Sequence, residues 1–109
     1  MQKSQVPRPK SLLKGEILKE ILNQISFLRK YQEKAQAFAG NENNSKFFEI
    51  RLNRFSSLLE NTILSLKNFM RFVQKSKIPL MENYDCILNI IANHVGHIVD
   101  NPFCIEYFK

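Results

Sequence analysis

Tryptophan is missing, and glycine, proline and cysteine are scarce: three, four and two residues in a chain of 109. A fold of many short strands needs frequent tight turns, and such turns draw on glycine and proline. With so few of either, a β-sandwich is excluded and helices are favoured. Two cysteines in an otherwise ordinary composition make no disulfide framework. Cys86 and Cys104 are therefore expected to be reduced. Cys86, set in an apolar helical pattern, is expected to be a small buried hydrophobe with a raised thiol pKa. No apolar run approaches the ~20 residues that cross a bilayer. Met1 to Lys10 lacks the hydrophobic core of a signal peptide and offers only Val6. The expectation is an intracellular chain, cytoplasmic or nuclear.

What is present is an ordinary share of hydrophobic residues, 44%, which argues against disorder. The length suits a single domain. Charge is unevenly spread. Residues 1–77 hold fifteen Lys and Arg against six Glu, a balance of +9, whereas residues 78–109 hold Lys109 against four acids, a balance of −3. The two parts are placed to attract each other or to face different partners.

Pro7 and Pro9 forbid a helix at the N-terminus, so residues 1–10 read as a flexible basic arm and 11–109 as one helical unit. Ser11 is a credible N-cap. Leu13, Ile17, Ile21, Ile25 and Leu28 then recur at steps of four and three, one apolar face at helical period. Gly40 suits a left-handed C-cap, and Asn41, Asn43 and Asn44 favour a turn before Ser45 caps the second helix.

That second helix carries the strongest pattern. Phe48, Leu52, Phe55, Leu59, Thr62, Leu66, Phe69 and Val73 alternate steps of four and three, and only Thr62 is polar. Such a seam belongs to a helix lying along another at a shallow angle, as in a coiled coil. Phe47, Leu58, Ile63, Met70 and Phe72 widen it, so it demands cover on more than one side. Pro79 ends the segment. A third helix is expected from about Met81 or Asn83 to Val99, on a stripe of Tyr84, Leu88, Ile91, Val95 and Ile98. Asn101 before Pro102 starts a fourth, short helix. Its apolar residues imply that it folds back on the bundle or that the chain is a piece of a longer protein. The fold class is all-α: an antiparallel bundle of three main helices plus a short C-terminal helix.

Signs of chemistry are few. His94 and His97 stand one helical turn apart, with Asp100 three residues on, which permits a metal site but lacks the His-Glu pairing of a zinc hydrolase helix. No phosphate loop, paired-carboxylate signature or nucleophile elbow occurs. Neither catalysis, a cofactor nor a small-molecule substrate is expected. Lys14, Lys19, Arg29, Lys30 and Lys34 give the first helix a basic side that could lie on anionic lipid, but its apolar face has partners within the chain.

The basic residues Arg51, Arg54, Lys67, Arg71 and Lys75 form a stripe down the second helix. They either solvate the outside of a bundle or track phosphates. Nine Phe exceed what a core of this size readily encloses, and Phe27, Phe47, Phe72, Phe103 and Phe108 are candidate contact anchors. The expected function is therefore non-enzymatic protein–protein interaction or assembly. An apolar surface of the first two helices would receive a partner helix or a second copy, with Lys67, Arg71 and Lys75 attracting an acidic segment. A basic, nucleic-acid-binding bundle is the alternative.

Overall fold

The structure, a computed structural model, describes residues 10–77 and 83–109. Among these residues there are four helices and no strand: α1 (Lys10–Ala39), α2 (Lys46–Lys75), α3 (Tyr84–Val99) and α4 (Pro102–Phe108). The long dimension of the molecule, 58 × 32 × 17 Å in Cα extent, follows from two 30-residue helices of about 45 Å each.

α1 and α2 form an antiparallel hairpin whose register is pinned at both ends. Lys14 Nζ donates to the carbonyls of Gln74 (3.1 Å) and Ser76 (3.3 Å), so the start of α1 stands beside the end of α2. There its charge also meets the negative end of the helix dipole. At the other end the rings of Phe38 and Phe48 meet edge to face, 5.8 Å between centroids. Between these points Leu13, Ile17, Ile21, Leu28 and Ala35 interlock with Leu52, Leu59, Leu66 and Val73, all buried. Each large aliphatic side chain withdrawn from water in this way contributes about 1.5–3 kcal/mol. Thr62 satisfies its hydroxyl by donating to the Leu58 carbonyl at 2.8 Å, so the one polar member of the seam leaves nothing unpaired.

α3 runs back along the hairpin and buries Ile87, Ile91 and Ile98 against it. α4 starts as its sequence implies: Asn101 Oδ1 accepts from the Phe103 N–H at 2.9 Å, with proline at the first helical position. It folds back onto the loop end of the hairpin and buries Phe103 and Cys104. The wide apolar arc of α2 is thus covered by α1 on one side and by α3 and α4 on the other.

Several local expectations are corrected. Helical geometry begins at Lys10, so Ser11 lies inside the first turn and is no N-cap; residues 1–9 of the expected arm lie outside the described residues, as do Ile78, Pro79 and Met81. Gly40 is not left-handed, since no described residue has a positive φ. Asparagines close that turn instead: Asn44 Nδ2 donates to the Phe38 carbonyl at 2.7 Å, and Asn41 Oδ1 accepts from the Asn43 N–H at 2.8 Å. Ser45 does cap α2, accepting from the Phe48 N–H at 3.1 Å. Cys86 is exposed and Cys104 buried, the reverse of the expectation for Cys86. Cys86 directly precedes Ile87 on α3, about 100° around the helix from that inward residue, and so faces water.

Candidate functional site

The five aromatic candidates divide into two groups. Phe103, only 4% exposed, and half-buried Phe108 are not surface anchors. Phe103 stacks on Phe55 at 5.2 Å and packs against Phe48 at 5.6 Å, while Phe108 reaches Tyr31, Phe38 and Phe55 at 5.6–5.8 Å. Their off-stripe positions belong to a separate short helix that turns its rings inward. Phe47 (71% exposed) and Phe72 (53%) do stand in water, with Phe72 stacked on Phe69 at 6.0 Å. Phe27, at the margin, sets its edge on Tyr31 at 5.4 Å.

The basic stripe is split. Sixteen positions separate Arg51 from Lys67, which turns them about 160° apart around α2. Arg51 faces α4: Nη2 donates to Glu106 Oε1 at 2.9 Å. Its guanidinium lies 5.4 Å from the Phe103 ring, 5.7 Å from Tyr107 and 5.9 Å from Phe47, all within cation–π reach. The hydrogen bond from Arg51 holds the Glu106 carboxyl below its usual range, and the same bond raises the Arg51 pKa. This pair joins the basic part of the chain to the acidic part. Arg54 lines a recess of about 320 Å³ beside Arg51 and Phe103. Lys67, Arg71 and Lys75 lie on the other side of α2, where Lys14 joins them at its C-terminal end.

The ligand-type residues do not converge. His94 Nδ1 donates to the Ile90 carbonyl at 2.8 Å, which ties the ring to its own helix. Among the described residues no three His, Cys, Asp or Glu side chains are grouped to hold a metal. Burial raises the Cys104 thiol, with the ammoniums of Lys109 and Lys34 and a hydrogen bond to Tyr31 acting in the opposite sense. A thiol so enclosed has little thiolate to offer as a nucleophile.

The largest unoccupied feature of the hairpin and α3 is a groove of about 680 Å³ between α1 and α3. Its floor is apolar: Leu88, Val95 and Val99 are half-buried and Ile91 lies beneath them. The α1 wall is polar, with Glu16 and Glu20 one turn apart and Gln24 donating to Glu20 Oε2 at 2.9 Å. On the α3 wall Ala92 and Gly96 keep the profile low, and a Cβ added at Gly96 would meet nothing nearer than the Asp100 carboxylate at 3.9 Å. Ala92 and Gly96 also border a second recess with Asn93, His97, Asp100 and Pro102, so the opening continues along the outer side of α3.

The groove does not lie where the sequence reading put it. The surface between α1 and α2 is taken by α3 and α4, and the open side is the one between α1 and α3. The sequence signal was available in Leu88, Val95 and Val99, which flank the Ile87–Ile91–Ile98 stripe on one side, next to small residues four apart. No helix among the described residues is long and apolar enough to cross a membrane. Comparison of the chain with protein-family models, with curated proteins and with solved structures found no match.

Proposed function

We propose that this chain is a non-enzymatic protein–protein interaction module that receives a helix from a partner in the α1/α3 groove. The observation that carries the reading is the half-covered apolar floor of Leu88, Val95 and Val99 beside the low wall of Ala92 and Gly96. Three helices leave this side where a fourth would complete a bundle, and an amphipathic helix laid in an apolar groove is a standard mode of recognition. The scattered chemistry of His94, His97, Cys86 and Cys104 supports a role without catalysis.

The test is a selection from a library of amphipathic helical peptides against the full chain. Binders whose retention disappears with Gly96→Leu support the groove, because the added side chain fills it without disturbing the packed face of α3. A library that yields no binders, or binders indifferent to Gly96→Leu, removes the reading.

The competing class is a basic nucleic-acid-binding bundle, favoured by the gathering of Lys14, Arg71 and Lys75 at one end of the hairpin. Phosphate binding there would be tight at low salt and fall steeply as salt rises. Retention on duplex and single-stranded nucleic acid at two salt concentrations, with charge reversal at Lys67, Arg71 and Lys75, separates the two.

A further inference from the structure

We infer that the helix received by the α1/α3 groove is basic: an amphipathic segment of a partner protein whose apolar stripe lies on Leu88, Val95 and Val99 and whose lysines or arginines meet Glu16 and Glu20. This deepens the docking reading and rests on it. The sequence-based expectation was an acidic partner, because the chain carries a net +6 and a cationic stripe on α2. The groove has the opposite character. Its only ionisable side chains other than Tyr84 are Glu16 and Glu20, on successive turns of α1 along one rim. The adjoining recess adds Asp100, accompanied by His97. Neither recess is bordered by a lysine or arginine.

Geometry sets the form of the occupant. Carboxylates four residues apart on one helix are about 6 Å apart along its axis, the spacing of cations at i and i+4 on a helix lying beside it. A partner that left these carboxylates covered and unpaired would lose their hydration without return, whereas a cation at each keeps them satisfied. The gap at Ala92 and Gly96 admits the bulk of the partner on the opposite side. A basic partner must also avoid the rest of this basic chain, so repulsion elsewhere on the surface directs it to the acidic groove.

The probes are two synthetic helical peptides with the same leucines at i, i+3, i+4 and i+7. One is flanked by lysines and the other by glutamates. Fluorescence anisotropy with the full chain should show the lysine peptide binding at least about 30-fold more tightly at low salt, with the preference shrinking as salt rises. Glu16→Gln with Glu20→Gln should weaken the lysine peptide about fivefold to tenfold, within the range of paired charges at a partly covered rim. Both substitutions keep good helix formers, and an unchanged melting temperature confirms that only binding has moved. If both peptides bind alike and both are lost with Gly96→Leu, the groove stands and its charge preference is overturned. A glutamate peptide that binds better overturns the inference as well. If neither binds, or if Gly96→Leu changes nothing, the docking reading itself goes.

Discussion

The two ends of the α1–α2 hairpin are closed by different means. At the end where α3 packs, aliphatic side chains interlock in a long stripe: Ile17 and Ile21 from α1, Leu66 and Val73 from α2, and Ile87, Ile91 and Ile98 from α3. At the loop end a seven-residue helix does the covering with rings: Phe103, Tyr107 and Phe108 against Phe48, Phe55, Tyr31 and Phe38. A helix of 16 residues can spread its burial over four turns. One of seven residues is too short to hold together alone, so each of its contacts must be large. Aromatic side chains bury the most area per residue and add edge and stacking geometry. The lesson is that the phenylalanine excess, legible in composition as a sign of outside partners, is mostly spent on fastening one short helix.

That contrast can be broken most severely at the point both ends share. Leu59, fully buried at the middle of α2, should cost about 3–4 kcal/mol on replacement by Ala, within the range for core leucines. Denaturant unfolding should show one transition, with the slope unchanged and protection lost at both ends together. A Phe103→Ala variant should cost about 3 kcal/mol, and the loss should be local. Hydrogen exchange is expected to speed up across α4 while the amides around Ile87 and Ile91 keep their protection. If α3 opens along with α4, the two ends are one unit.

Smaller changes sharpen the comparison. Asn101→Ala removes the cap of α4 and should destabilise that end by about 1 kcal/mol. Gly96→Ala should stabilise the α3 end by up to about 1 kcal/mol, since the site is helical and has room for the methyl group. Calorimetry on the two variants should move the melting temperature in opposite directions. The smallest effect concerns pH. Glu106 is held below the ordinary carboxylate range by Arg51, so its contribution is present above that range and is lost as pH falls through the lowered value. Acid exposure should therefore loosen α4 before the α3 end, as seen in the amide protection of Tyr107 and Phe108. With Arg51→Gln this pH dependence should vanish.

Much of the fold was legible because helical periodicity records burial directly. Every position of the α2 seam from Leu52 to Leu66 is buried, and both Ser45 and Asn101 cap as their residue types imply. The failures share one cause: they depend on which way a helix is turned relative to its neighbours. Cys86 sits in an apolar stretch yet faces water. Arg51 and Lys67 fall on one helix but on nearly opposite sides of it. Phe103 lies off any long stripe yet is buried, because α4 supplies a face of its own. The groove was out of reach for the same reason, since its walls come from residues some seventy positions apart, such as Glu20 and Leu88. Local sequence says which faces are apolar; only the packed arrangement says which remain uncovered.

Chemical-shift mapping on the isotopically labelled full chain, titrated with the lysine-flanked peptide, tests the central claim most directly. The account predicts shifts at Glu16, Glu20, Leu88, Val95, Gly96 and Val99, with Lys67, Arg71 and Lys75 undisturbed. Shifts that gather on the Lys67–Lys75 side of α2 and spare the groove would contradict it.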